Sequence, residues 1–186
     1  MSLHQDVERV LFSEKEIEAG LDRVAGEIAN AYPEGPDGDF TVVAVLKGSC
    51  VFVADLIRRI PRPLELAFAA ASSYRNGTQS GELEVLFFPD EREIEGRRLL
   101  LVDDILDSGR TMTALASEFL SRGAREVRSC VFLDKPVRRA VDHDPDFRCF
   151  EVNDVFVVGY GLDYQGRYRN LPYVGALKPA AIDAHV

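Results

Sequence analysis

Leu99 to Val102 are apolar and lead directly into Asp103 and Asp104; Asp107 follows three residues later, and Ser108-Gly109-Arg110-Thr111 come next. The apolar run reads as a buried strand, and the small and hydroxyl residues read as the opening of a helix. A helix N-terminus carries backbone amides with no intrahelical partner, which suit a phosphate. Gly109 has no Cβ and lets the backbone approach an anion closely. Carboxylates at that place can hold ribose hydroxyls, a magnesium ion or a reacting proton. In open α/β sheets, ligands bind beyond the carboxyl ends of the strands, where this segment delivers its acids. Two plainer readings compete with a phosphate cradle. One is ordinary helix capping by Ser108 and Thr111. The other is a helical DDxxD diphosphate motif, disfavoured by the strand before it and the glycine turn after it.

Other candidates are weaker taken singly. Lys47 would be a surface lysine were it not placed between the apolar run 41–46 and Gly48-Ser49. Lys135 is followed by Pro136, which stiffens the backbone, and a lysine offers donors only. Phe156 in VFVVGY would be a core residue by default. Asp163 and Arg169 could be a surface ion pair of little energetic worth. Tyr74 stands among small polar residues, where an aromatic ring on a loop suits closure over a ligand. His4, His143 and His185 lie in polar or terminal segments and receive no role.

The elements that must position these residues follow from periodicity. Ser13 and Glu16 form a capping box, and Ile17, Leu21, Val24, Ile28 and Tyr32 keep helical spacing, so a helix is predicted over 14–31. PEGPDG at 33–38 is a loop. Strands are predicted at 41–46, 64–70, 83–88, 98–104, 126–133, 155–160 and, as a short last one, 173–177. Helices follow Ser49, ending near Ile60, and run from Arg110 to Arg122, with Gly123 at the C′ position. Residues 72–82 (SSYRNGTQSGE) are rich in turn formers and read as an exposed loop expected to close over a filled site. Strands alternating with helices predict an α/β fold, an open, mainly parallel twisted sheet flanked by helices, in a single domain.

VDDILDSGRT at 102–111 resembles the phosphoribosyl-pyrophosphate signature of the type I phosphoribosyltransferases. The likeness to the hypoxanthine (hypoxanthine-guanine) branch extends further: VLKGS at 45–49, SSY at 72–74, LDKP at 133–136 and VFVVGYGLDYQGRYRNLPYVG at 155–175 stand in that family's order. The resemblance spans roughly residues 10–178. It implies a magnesium-dependent transfer of a phosphoribosyl group to a 6-oxopurine, with small molecules as the substrates. It also implies a small hood built from the N-terminal segment and about 150–180. Asp103 and Asp104 would hold the ribose hydroxyls and help position magnesium, and Asp163 would bind a second magnesium. Asp107 would accept a proton from the purine imidazole edge. Ser108, Gly109, Arg110 and Thr111 would wrap the 5′-phosphate; Lys47, Gly48 and Arg169 would meet pyrophosphate, the family often having a cis peptide before this lysine. Lys135 would donate to the exocyclic oxygen of the purine, Phe156 would stack on the ring, and the Val157 backbone would contact its far edge. Ser73 and Tyr74 would belong to the mobile loop. Two departures stand out: the family's usual Glu-Asp pair is Asp103-Asp104 here, and its usual Lys-Asp pair after the mobile loop is replaced within LFFPDE at 86–91.

Composition bounds the rest. The 186 residues suit one domain with one sizeable core, and 46% are hydrophobic, which excludes a disordered chain. The net charge of −9 argues against a nucleic acid or an anionic membrane as partner, since both call for a basic surface. Cys50, Cys130 and Cys149 have no paired spacing and are expected as reduced thiols in a cytoplasmic protein. MSLHQDVERV is too polar for a signal peptide, and no apolar run reaches the roughly 18 residues of a membrane span. A homodimer or a homotetramer is the expected assembly, with the choice between them open.

Overall fold

The computed structural model describes residues 4–33, 35, 39–73 and 83–183, with only the backbone at 72–73, 83–85 and 183. In chain order the elements are β1 (Val7–Phe12), α1 (Glu14–Ala31), β2 (Thr41–Leu46), α2 (Cys50–Ile57), β3 (Glu65–Ser73), β4 (Leu83–Phe87), β5 (Arg98–Leu106), α3 (Arg110–Ser121), β6 (Glu126–Asp134), β7 (Phe147–Glu151), β8 (Val157–Val158), β9 (Val174–Leu177) and α4 (Pro179–Asp183). Six strands form one sheet in the order β4-β3-β2-β5-β6-β7, parallel except for the edge strand β4. The other three form a small antiparallel sheet, β1-β9-β8, from both ends of the chain.

The predicted capping box is present: the Ser13 side chain accepts from the Glu16 amide and Glu16 accepts from the Ser13 amide, starting α1. The stripe Ile17, Leu21, Val24 and Ile28 is buried and packs with Val42, Ala44, Leu100 and Phe132 on one face of the sheet. On the other face α3 buries Met112, Leu115 and Phe119 against Val43, Leu99 and Leu101. Covered on both faces, β2 and β5 can be continuously apolar, as their sequences are.

Several predicted boundaries shift. The 155–160 segment is not one strand; only Val157–Val158 pair with β9, and the chain then turns through positive φ at Gly159, Tyr160 and Gly161. β3 runs on to Ser73, into the predicted loop. β5 continues past Asp104 to Leu106, so Asp103 and Asp104 lie within it. β1 and β7 are unpredicted strands, and their physical reason is partnership at a distance: Val7 pairs with Leu177, and Phe147 with Cys130.

Chain direction sets the site. From β2 the path crosses through α2 to β3 on one side, and from β5 through α3 to β6 on the other. The strand order therefore reverses between β2 and β5, and a crevice opens beyond their carboxyl ends. The β2–β5 ladder stops at Ala44↔Val102, whereas the β5–β6 ladder continues to Leu106↔Asp134. Asp103 and Asp104 are the first residues of β5 past the point where β2 departs.

Candidate active site

The turn Asp107–Gly109 joins β5 to α3. Gly109 is the N-cap at φ 81°, a left-handed conformation that favours glycine. A Cβ there would also meet Val141 Cγ2 at 2.8 Å and Arg139 Cδ at 3.2 Å. The turn is backed by the segment after β6, where the Ala140 amide donates to the Ser108 carbonyl at 2.9 Å. A cleft of about 300 Å³ is lined by Asp103 to Gly109 with Thr111 and Met112. A larger cleft of about 460 Å³ lies between α1, α2 and the Tyr160–Pro172 segment. It contains none of the β5 carboxylates, so the smaller cleft is the one with the chemistry.

Asp103 and Asp104 are adjacent carboxylates in a crowded place. Burial holds the Asp103 carboxyl well above the ordinary carboxylate range, and the neighbouring Asp104 charge adds to it. Burial also raises Asp104, opposed by hydrogen bonds from Asp103 and Ile105 and by the nearby Arg169 guanidinium. The loop after β2 presses on this pair. A Cβ on Gly48 would lie 1.5 Å from Asp104 Oδ2, so only glycine fits there. The Leu46–Lys47 peptide is cis. Behind it, the Ser49 hydroxyl donates to the Val45 carbonyl at 2.5 Å.

The segment after β8 closes against the same loop. A Cβ on Gly161 would come within 2.4 Å of the Gly48 carbonyl oxygen. Arg169 donates to the Gly161 carbonyl at 2.6 Å and pairs with Asp163 at 2.7 Å. Asp163 also accepts from the Gly166 amide at 2.7 Å. The Tyr160 hydroxyl donates to Asp55 of α2 at 2.7 Å, which fixes this segment to the helix behind Lys47.

Across the β5–β6 end, Lys135 is buried and its ammonium donates to the Val155 carbonyl at 2.7 Å. Burial lowers its pKa, opposed by the Asp107 carboxylate nearby. Asp107 Oδ2 accepts from Arg138 at 3.3 Å, while its Oδ1 is buried with no hydrogen-bond partner among the described residues. Phe156 is 43% exposed, and its ring meets the Tyr164 ring edge-on at 5.1 Å. The ring is left open in an otherwise apolar segment and is not a core residue. Val157, next to it, is buried in β8.

The predicted residues on four segments, 47–48, 103–111, 135 and 156–169, lie near the carboxyl end of β5, with Arg169 also lining the larger cleft. Tyr74 lies outside the described residues, and Ser73 is described by its backbone alone. Sequence reasoning missed Asp134, Arg138, Arg139 and Asp55. Charged residues of these types are usually solvated, and no spacing marked them. Among the described residues no group of three or more His, Cys, Asp or Glu side chains could hold a metal.

Comparison with known proteins is consistent with this geometry. A family model described as "Phosphoribosyl transferase domain" matches residues 11–165, and fold and site together define a phosphoribosyltransferase. The chain is 44% identical over 183 residues to the hypoxanthine-guanine phosphoribosyltransferase of Bacillus subtilis (strain 168), covering 98% of this chain and 99% of that one. It superimposes on a hypoxanthine phosphoribosyltransferase from Staphylococcus aureus with a TM-score of 0.87 at 36% identity, covering 96% and 95% of the two chains. A Trypanosoma cruzi hypoxanthine phosphoribosyl transferase gives a TM-score of 0.91 at 32% identity, covering 100% of this chain and 98% of that one. The chain belongs to the hypoxanthine-guanine phosphoribosyltransferase family.

Proposed function

We propose that this chain serves purine salvage, transferring the 5-phosphoribosyl group of phosphoribosyl pyrophosphate to hypoxanthine and guanine to give IMP and GMP with release of pyrophosphate. The observation that supports it most is the buried Lys135 ammonium, anchored on the Val155 carbonyl, near enough to the Asp107 carboxylate to feel its charge and beside the open ring of Phe156. A 6-oxopurine stacked on Phe156 presents its exocyclic oxygen to the Lys135 ammonium and its imidazole edge to Asp107, with the Val157 backbone at its far edge. The 5′-phosphate rests on the amides of Ser108, Gly109, Arg110 and Thr111. The ribose hydroxyls lie against Asp103 and Asp104, and the pyrophosphate faces Lys47, Gly48 and Arg169. In the reaction the anomeric carbon loses its bond to pyrophosphate oxygen and gains one to the base nitrogen. The proton displaced from the imidazole edge passes to the Asp107 carboxylate, whose side chain is 43% exposed. Holding base and sugar in line accounts for much of the acceleration.

The residues present fit magnesium of one kind. Two crowded carboxylates, both pushed toward protonation, are relieved by a cation. With no three-ligand cluster among the described residues, a divalent ion would be held partly by substrate oxygens, as is usual for magnesium. Asp103, Asp104 and, at a second position, Asp163 would hold it, and it would neutralise charge on the departing pyrophosphate. Assembly as a homodimer or homotetramer belongs to the same reading, supported by exposed Leu66, Phe68, Leu86 and Phe87 on neighbouring strands. Placement in the cytoplasm is supported by three free cysteines. No described helix is long and apolar enough to cross a membrane. Product formation from phosphoribosyl pyrophosphate, with hypoxanthine, guanine, xanthine and adenine offered separately, tests the reading. Turnover of hypoxanthine and guanine supports it, and turnover of adenine alone overturns it.

A further inference from the structure

The turn between β5 and α3 must carry Asp107 and the phosphate amides in one fixed shape, yet few contacts within the turn hold it. Backbone amides of Lys135 and Ala140 hold the Leu106 and Ser108 carbonyls, and one side chain reaches the carbonyls of Leu106 and Asp107 from below. Arg139, in the segment after β6, donates from Nη1 to the Asp107 carbonyl at 3.0 Å and to the Leu106 carbonyl at 3.3 Å. From Nη2 it donates to the carboxylate of Asp134, and its Cδ lies under Gly109. Asp134 is completely buried, and its second oxygen accepts from Arg148 at 3.0 Å. A buried carboxylate is tolerated only when its charge is matched and its lone pairs are used, and here both conditions are met by arginines. Arg139 is nearly buried, with 13% of its side chain exposed, while Arg148 has 48%. The planar guanidinium is therefore clamped on one edge by a carboxylate and offers the other edge to two backbone carbonyls. Lysine cannot reproduce that fork.

We infer that Arg139, oriented by the buried Asp134, is a positioning residue that sets the backbone of the Leu106–Gly109 turn and so aligns Asp107 and the phosphate cradle together. It touches neither substrate; its effect passes through the two carbonyls. The Lys135 ammonium is anchored outside the turn, on the Val155 carbonyl, and its backbone amide donates to the Leu106 carbonyl at 2.9 Å without Arg139, so base recognition should be largely spared. The inference rests on the phosphoribosyltransferase reading above, and wild-type turnover of hypoxanthine is the control that separates the two. No wild-type turnover defeats that reading, whereas wild-type turnover with unaffected variants defeats this inference alone.

The experiment compares wild type, Arg139→Lys, Arg139→Ala and Arg148→Met by steady-state kinetics with hypoxanthine and phosphoribosyl pyrophosphate, by calorimetric binding of IMP and inosine, and by thermal unfolding. Misplacing reacting groups by about 1 Å can cost about 100-fold, so a fall in kcat of about 10- to 100-fold is expected in folded Arg139→Lys. IMP binding should weaken while inosine binding and KM for hypoxanthine stay within about threefold. Millimolar guanidinium should restore part of kcat in Arg139→Ala and none in wild type. Arg148→Met, which leaves the Arg139 fork intact, should lower the melting temperature with kcat within about twofold of wild type. Arg139→Lys with near wild-type kcat and IMP affinity overturns the inference. So does an Arg148→Met loss as large as that of Arg139→Lys, because charge balance at Asp134 would then be the whole effect. An Arg139→Lys chain with no cooperative unfolding also counts against it, since the role would then be structural.

Discussion

Lys135→Met puts base recognition to the test with a number drawn from the structure. The ammonium has three donors and is anchored by one of them, to Val155 O at 2.7 Å. The remaining donors are available to a purine oxygen without giving up the anchor, so a bound 6-oxopurine gains a full hydrogen bond to a charged group. Such a bond is worth about 1.5–3 kcal/mol, or roughly 10- to 150-fold in affinity. Adenine presents an amino group, itself a donor, at the same place. A site built around a buried polar contact can reject such an analogue by about 10⁴-fold. Methionine keeps the length and apolar stem and removes the donors. The fold should tolerate it: the Val155 carbonyl loses a partner, at about 1–3 kcal/mol, but a cation whose pKa is already depressed by burial is removed. The assay is kcat/KM for hypoxanthine and for adenine in both proteins, with thermal unfolding as the folding control. The expected result is a 10- to 150-fold loss with hypoxanthine, as about 1.5–3 kcal/mol requires, and a narrower gap to adenine. An unchanged hypoxanthine-to-adenine ratio in a folded variant, or efficient use of adenine by wild type, would remove Lys135 from recognition.

Gly109→Val should nearly abolish phosphoribosyl pyrophosphate binding and lower the melting temperature, because a β-branched residue at φ 81° is strained by about 1–3 kcal/mol and its Cβ meets Val141. Normal affinity in the folded variant would rule out the cradle. Asp107→Asn should lower kcat by about 10²–10⁴-fold with nucleotide binding less affected; a rise in KM with kcat unchanged would make Asp107 a binding residue instead. The raised carboxyls of Asp103 and Asp104 set a pH dependence. Their folded pKa values exceed the ordinary value of about 3.9, so between the two the folded chain holds more protons than the unfolded one. Their contribution to stability is therefore greatest in acid and is lost as pH rises through that window. Melting temperatures of the free protein above pH 4 should fall more steeply in wild type than in Asp104→Asn, and equal slopes would contradict the repulsion.

Much of the molecule was readable from local pattern. The capping box and stripe of α1, the doubly buried strands β2 and β5, and the acid-then-glycine turn into α3 depend on residues within a few positions of each other. Such signals survive in one dimension. That the main sheet is largely parallel with helices on both faces follows from their alternation. The family resemblance supplied roles that no spacing could, and Phe156 shows why: an apolar segment predicts burial, yet its ring stands 43% exposed.

Tertiary structure alone decided the contacts between distant segments. β1 is a strand because Val7 to Phe12 meet β9 across the whole chain, and β7 because Phe147 meets Cys130; neither is specified by its own residues. That Gly48 must be glycine is a fact about Asp104, whose carboxylate occupies the place of its Cβ. The same holds for Arg139 and Asp134. In sequence they are an arginine in a polar loop and an acid at a strand end, and both types are usually solvated. Only where β5 and β6 run on together past the departure of β2 are they brought under the turn, into a buried ion pair that grips its carbonyls. Sequence patterns report which residues prefer water and which do not, because that preference is local. Which buried charges meet depends on strand order, and strand order is set by how the whole chain packs.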